Sequence, residues 1–160
     1  MKLAEALRIR KDYLSRLRQL ESRINDNCSV QEGDEPAENP NELIEQYMSL
    51  SSELSNLICN INLSNTQIKF LFGNHEEPKS MTQALAERDQ YIRNIEVIRN
   101  TTKKGVIKRD MYSRSEIKFV STVKVKDYQH LLDKLAQQLR ILDTKIQEQN
   151  WLSDLITEVT

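Results

Sequence analysis

Apolar residues recur along most of the chain at alternating steps of three and four positions. Two segments show this heptad pattern most regularly, stepping by 4, 3, 4, 3 and 4: Leu43, Tyr47, Leu50, Leu54, Leu57 and Ile61, then Tyr128, Leu132, Leu135, Leu139, Leu142 and Ile146. A seam of this kind is typical of a long helix that lies against a partner helix. The pattern predicts helices over about 41–70 and 127–158.

Two further helices are predicted from weaker versions of the same spacing. The first covers about 2–27, with its apolar face at Leu3, Leu7, Leu14, Leu17 and Ile24. The other covers about 80–102, with Leu85, Ile92, Ile95 and Ile98 on its buried face. Ser80 and Gln83 have the spacing of a capping box, which marks a helix N-terminus. The Pro- and Gly-containing stretches 28–40 and 73–78 separate the helices as loops.

The segment between the last two helices has a different period. Ile117, Phe119, Ser121, Val123 and Val125 alternate with polar or smaller residues, which favours extended backbone. We therefore predict a short β ribbon near 105–125. Because a two-stranded ribbon is only marginally stable alone, it should pack on helices or pair with another subunit.

These elements predict a mainly α protein: a single helical domain over 1–160, with long antiparallel, coiled-coil-like hairpins and one β ribbon. The low Gly and Pro content, three residues of each, leaves few of the tight turns that an all-β fold needs. Each narrow seam needs a partner helix to cover it. We therefore expect a homo-oligomer, in which copies of the chain cover what one copy leaves exposed.

The composition indicates where the protein works. The chain has no run of about 18 continuous apolar residues, which argues against constitutive membrane insertion. The first residues contain no uninterrupted apolar region of the kind found in a signal peptide. Cys28 and Cys59 are too few for a disulfide framework. These features predict a cytoplasmic protein with reduced thiols.

Charge is segregated along the chain although the formal net charge is only −1. Residues 24–68 contain eight acidic residues and no Lys or Arg, whereas residues 103–126 contain eight basic residues and two acidic ones. The simplest interpretation is a solvated surface. Alternatively, the acidic and basic tracts meet between subunits, so that high salt, or Lys118→Glu with Lys124→Glu, weakens association. Nucleic-acid binding by 103–126 is disfavoured because the acidic tract repels phosphates.

Catalytic and metal-binding signatures are missing from the sequence. It contains no Gly-rich phosphate loop, no Gly-x-Ser-x-Gly turn and no Cys-x-x-Cys pair. His75 and His130 are the only histidines, and neither has a second histidine three or four residues away. We therefore assign no catalytic residue, no metal ligand and no cofactor. The sequence favours a non-enzymatic protein but leaves the question of an enzyme open.

Clusters of polar residues interrupt the predicted helices. Asn and similar residues are poor helix formers, so such clusters mark a helix end, a buried polar network or a ligand site between helices. If the chain binds a ligand, these positions are the candidates: Asn60, Asn62, Asn65, Glu87, Arg88, Arg114, Glu116, Gln147, Asn150 and Trp151.

Several short segments together resemble a known family. They are Met1–Leu7 (MKLAEAL), Val30–Gly33 (VQEG) with Pro36 and Pro40, Ala84–Asp89 (ALAERD), Tyr112–Lys118 (YSRSEIK) and Ile146–Trp151 (IQEQNW). In order and spacing they resemble the septicolysin-like family of uncharacterised bacterial proteins, over essentially the whole chain. The resemblance implies a small helical bacterial protein. It offers no catalytic residue to carry over, and the family name suggests pore formation.

Three classes of function follow from these observations. The first is a non-enzymatic, self-associating interaction or scaffold protein. The second is a cytolysin-like membrane-active protein, which leakage of liposomes would reveal. The third is a ligand-binding protein or an enzyme that uses the polar cluster named above. The sequence itself names no activity, ligand, partner or subunit number.

Overall fold

The computed structural model describes residues 1–106 and 120–157 of the chain. In order, these residues form α1 (Leu3–Asn27), α2 (Pro40–Gln67), β1 (Lys69–Phe70), β2 (Lys79–Ser80), α3 (Met81–Gly105) and α4 (Val125–Leu152). The structure is 74% helical, which confirms the predicted fold class, mainly α with a short β ribbon.

The short antiparallel sheet lies at a different place from the predicted ribbon. It pairs Lys69 with Ser80 and Phe70 with Lys79, next to the start of α3. Most of the predicted ribbon, residues 107–119, lies outside the described residues. At its two ends, Gly105 is the last residue of α3 and Val125 is the first residue of α4.

The chain divides into two compact units. Unit 1 comprises Met1–Ile68 and Gln147–Thr160, and unit 2 comprises Lys69–Ile146. Helix α4 therefore contributes residues to both units. Unit 1 is built from two stretches that are distant in sequence, whereas unit 2 is one continuous segment. The single domain over 1–160 stays a prediction.

Helices α1 and α2 form the predicted antiparallel hairpin in unit 1. Near the loop between them, Leu17 and Leu20 of α1 pack against the α2 residues Leu43, Leu50 and Leu54. At the other end of the hairpin, Leu3 and Ala6 pack against Ile61. The α2 seam is buried as predicted from its spacing, because α1 lies along it.

The buried face of α1 differs from the predicted one. Leu14 is exposed, while Leu20 is buried. Stepping by three and four from Leu3 leads through Ala6, Tyr13, Leu17, Leu20 and Ile24, which all lie on the face that packs against α2. Arg10 lies in the same series and is half-buried. Because this position is charged, the spacing of apolar residues alone did not predict the face of α1 that packs against α2.

Helix α4 ends at Leu152, earlier than the predicted end near 158. The residues that follow are extended because they pair with other parts of unit 1. Leu3 N donates to Ser153 O at 3.0 Å, and Leu155 N donates to Met1 O at 2.8 Å. Beside them, Ile156 N donates to Ser64 Oγ at 2.8 Å. These bonds satisfy backbone groups that a longer helix would have paired internally.

Helix α3 begins at the predicted capping box in unit 2. Gln83 N donates to Ser80 Oγ at 3.2 Å, and Ser80 N donates to Gln83 Oε1 at 2.9 Å. Before it, the loop from β1 to β2 turns at Gly73, whose φ of +57° is a left-handed conformation that favours glycine. The loop thereby brings His75 close to α3.

Helices α3 and α4 lie antiparallel in unit 2. Arg88, early in α3, pairs with Asp143, late in the α4 part of this unit. At the C-terminal end of α3, the backbone of Gly105 lies very close to Val123, just before the start of α4. A Cβ added at Gly105 would lie only 2.4 Å from Val123 Cγ2. Only a glycine accommodates this approach without a shift of Val123.

No helix within the described residues is both long enough and apolar enough to cross a membrane.

Candidate functional site

The ten candidate residues identified from the sequence fall into three groups in the structure. Arg114 and Glu116 lie outside the described residues. Glu87 and Arg88 belong to unit 2. The remaining six belong to unit 1: Asn60, Asn62, Asn65, Gln147, Asn150 and Trp151. The role of these residues in ligand binding stays a prediction.

The candidates in unit 1 differ widely in exposure. Asn150 is buried, with 5% of its surface exposed, and Asn60 and Asn65 are half-buried. Asn60 O accepts a hydrogen bond from Ser64 Oγ at 2.8 Å, so this part of the cluster belongs to the internal bonding of α2. Trp151 is 63% exposed, and Asn62 and Gln147 are also exposed.

The candidates in unit 2 belong to a connected group of polar side chains. Glu87 Oε2 lies 2.9 Å from His75 Nε2. Tyr91 lies one turn further along α3, close enough for the charge of Glu87 to act on its hydroxyl. Phe72 packs its ring against the edge of the imidazole, with the ring centroids 5.1 Å apart. An aromatic neighbour and a carboxylate partner thus fix the position of His75.

This group opens into a cavity of about 470 Å³ in unit 2. The loop contributes Gly73, Asn74 and His75, and α3 contributes Glu87 and Tyr91. The α4 side of the cavity consists of one amide and two aliphatic side chains: Gln138, Ile141 and Leu142. Its volume falls within the range of about 300–1,000 Å³ that is usual for small-molecule pockets.

Arg88 turns away from the cavity to form an ion pair. Its Nε lies 2.6 Å from Asp143 Oδ1 on α4, and its Nη1 lies 3.7 Å from Asp89. Because the side chains of Arg88 and Asp143 are 38% and 42% exposed, water screens the pair and its contribution to stability is small. Its main effect is to place a carboxylate beside the positive charge of Arg88.

Burial raises the pKa of Tyr91 above the ordinary tyrosine value, and the nearby charge of Glu87 raises it further. We expect Tyr91 to ionise above about pH 10. Because the pKa is higher in the folded state, the corresponding stabilisation is complete below about pH 10 and is lost as the pH rises. Glu87→Gln should lower the Tyr91 pKa without restoring the ordinary value, because burial remains.

Site-specific NMR titration of the tyrosine rings would measure this shift, with Tyr91→Phe identifying the signal. Tyr13 provides a comparison, because its hydrogen bond to Glu53 raises its pKa in unit 1. Its titration should be unchanged by Glu87→Gln. A Tyr91 pKa that does not move in this variant would contradict the proposed contact with Glu87.

Sequence reasoning identified Glu87 but missed His75, Tyr91 and Gln138. The sequence of α3 contained a pattern that could have indicated Tyr91. Steps of three and four positions from Met81 lead through Ala84, Arg88, Tyr91 and Ile95. Two polar residues in succession on a seam face mark a place where helices enclose something other than an apolar core. The approach of His75 carried no such signal, because it depends on the loop conformation.

A second cavity, of about 310 Å³, lies along the hairpin in unit 1. Two of its polar lining residues, Arg23 and Glu53, contact side chains outside the lining. Arg23 pairs with Glu38, and Tyr13 donates to Glu53 at 3.1 Å. Most of its lining residues are exposed polar side chains, so it is an open surface groove, lined by Arg16, Gln19, Leu20, Arg23, Gln46, Ser49, Leu50 and Glu53.

The two regular heptad seams are covered to different extents. On α2, Leu43, Leu50 and Leu54 are at most 7% exposed. On α4, the first four seam positions are only half-buried: Tyr128, Leu132, Leu135 and Leu139. Leu131, beside them, is 42% exposed. An open groove of about 430 Å³ runs between α3 and α4 at Ile95 and Leu139.

Within residues 1–106 and 120–157, no three His, Cys, Asp or Glu side chains come together as metal ligands. Both cysteines are free and exposed.

Comparison with known proteins places this architecture in a family. Residues 10–155 match the sequence profile of a family of unknown function, DUF6847. The chain belongs to DUF6847. A similar solved structure is that of a functionally unknown conserved protein from Corynebacterium diphtheriae. That protein is 33% identical, with a TM-score of 0.86, over 98% of this chain and 99% of its own. No curated protein matches.

DUF6847 is a family of unknown function, and the neighbour from Corynebacterium diphtheriae is itself functionally unknown. They assign no activity, so the function has to be argued from the structure. The resemblance to septicolysin-like proteins stays a prediction, as does the cytoplasmic location.

Proposed function

We propose that this protein is a non-enzymatic helical interaction module that self-associates through the first half of α4. The supporting observation is the contrast between the two heptad seams. Helix α1 covers the α2 seam, while Leu132, Leu135 and Leu139 of α4 remain half-buried beside the exposed Leu131. A seam of this regularity normally lies in the groove of a second helix.

A second copy of the same chain is the partner that best fits this surface. Exposed residues of both charges flank the α4 seam, namely Lys126, Asp127, Asp133, Lys134 and Arg140. In a twofold dimer the same patch faces itself, so a helix with both signs of charge presents opposite charges to its copy. Lys124 and Lys126, the last two basic residues of the tract 103–126, lie at the start of α4 and so close to the same interface.

Replacing Leu131 and Leu135 with Glu should abolish association and leave a folded monomer. The two positions are one turn apart, and two copies would place four carboxylates in one apolar contact. Light scattering coupled to gel filtration would measure the mass, and circular dichroism would check the helix content.

The matched control is Gln129→Glu with Gln137→Glu. It adds the same charge to the same helix, at exposed positions on another face. This control should keep the mass of the original protein. A monomeric original protein at about 100 µM would refute self-association. Equal masses for all three proteins, above that of a monomer, would place the interface elsewhere.

A further inference from the structure

We propose that the cavity in unit 2 binds a small organic amine in its ammonium form, with Glu87 as the counter-ion. This binding site is separate from the α4 seam and does not depend on self-association. The charge of the cavity, its hydrogen-bonding groups and its apolar wall all favour such a ligand.

The charge of the cavity favours a cation. Glu87 is the only carboxylate among the described lining residues, and none of them is Lys or Arg. Arg88, the residue after Glu87 on α3, is paired with Asp143. The Glu87 side chain is only 24% exposed, so a charge placed beside it is less screened than on an open surface.

The hydrogen-bonding groups suit a ligand that donates several hydrogens. The carboxylate of Glu87 offers acceptor oxygens to the cavity, and its Oε2 lies 2.9 Å from His75 Nε2. The side chains of Asn74 and Gln138 line the same cavity, and the amide of each includes a carbonyl acceptor. A primary ammonium carries three donor hydrogens and no acceptor, which complements this set of acceptors.

The remaining wall accommodates a hydrocarbon group. Leu142 is 3% exposed and forms part of the floor, while Ile141 is 54% exposed and contributes apolar surface. The Tyr91 ring adds an aromatic face that attracts a nearby cation. A Cβ at Gly73 would lie 3.4 Å from Glu87 Oε1, so glycine at this position keeps the carboxylate accessible from the loop.

Three probes of nearly equal shape separate charge from shape: benzylamine, benzyl alcohol and benzoate. Each would be titrated into the isotopically labelled full chain, and binding would be followed by amide chemical shifts. Benzylamine should bind with a Kd of about 1 mM or less and shift the amides of Gly73, Asn74 and Gln138. Benzyl alcohol should bind at least about tenfold more weakly, because it lacks the charge-assisted hydrogen bond. Benzoate should not bind.

Glu87→Gln keeps the size of the side chain and removes its charge, so benzylamine affinity should fall by about tenfold or more. Glu96→Gln is the matched control, because Glu96 is an exposed carboxylate on the same helix. It should bind like the original protein. The proposal is overturned if benzylamine produces no shifts at about 10 mM, or if the shifts lie away from the cavity.

Equal binding of benzylamine and benzyl alcohol to the original protein would also overturn it, whatever the stability of the variants. If Glu87→Gln does not fold, the comparison of the three probes on the original protein still decides the outcome. A circular dichroism spectrum of each variant identifies that case.

Discussion

Replacing Ile61 with Ala should lower the free energy of unfolding by about 2–5 kcal/mol. Ile61 lies on α2 and is only 1% exposed. It packs against Leu3 and Ala6 at the start of α1, and Leu155 completes the same cluster. The removed methyl and methylene groups would leave a cavity where three segments meet, and none of the three can move inward without disturbing the other two.

Urea denaturation followed by circular dichroism would measure the loss. Ile61→Val should cost less, about 0.5–1.5 kcal/mol, because it removes one methylene group. The control is Met48→Ala on the same helix, where the side chain is 66% exposed and the effect should stay within about 0.5 kcal/mol. Similar losses for Ile61→Ala and Met48→Ala would show that the cluster is not packed as described.

Replacing Ser64 with Ala should be the second large effect, with a loss of about 1–3 kcal/mol. Ser64 is fully buried. Its hydroxyl donates to Asn60 O within α2 and accepts from Ile156 N at 2.8 Å. Alanine can do neither, so the Ile156 amide loses its acceptor next to the core. The better helix propensity of alanine offsets part of the loss, by about 0.5 kcal/mol.

Hydrogen exchange at the Ile156 amide reports on this contact directly. Exchange should become faster in Ser64→Ala than the change in global stability alone explains. Ser55→Ala, an exposed change on the same helix, should leave both the stability and this amide unaffected. Unchanged protection of Ile156 in Ser64→Ala would contradict the hydrogen bond.

The four helices could be predicted from the sequence because their signals are local. The spacing of apolar residues, the Ser80–Gln83 box and the breaker-rich loops depend only on neighbouring positions. The prediction failed where distant residues decide the structure. Helix α4 stops at Leu152 because residues 153–156 pair with residues near the N-terminus and with Ser64, which no local pattern could indicate.

The candidate site was only partly predictable for the same reason. Glu87 drew attention as a polar residue on a helix. His75 was discounted as an isolated loop histidine, because its contact with Glu87 spans 12 positions and depends on the left-handed turn at Gly73. Arg88 was named as a ligand group, and the structure shows that it contacts Asp143, 55 positions away.

The pairing of Lys2 with Leu152 has a consequence for synthesis on the ribosome. Lys2 Nζ donates to Leu152 O, a contact across 150 positions. The start of α1 therefore emerges long before its partners at 152–156, whereas the continuous segment Lys69–Ile146 is complete earlier. The nascent N-terminal hairpin must wait with Leu3 and Ile61 incompletely covered. Such late, non-local closure slows folding and leaves an interval in which a chaperone can bind the exposed hairpin end.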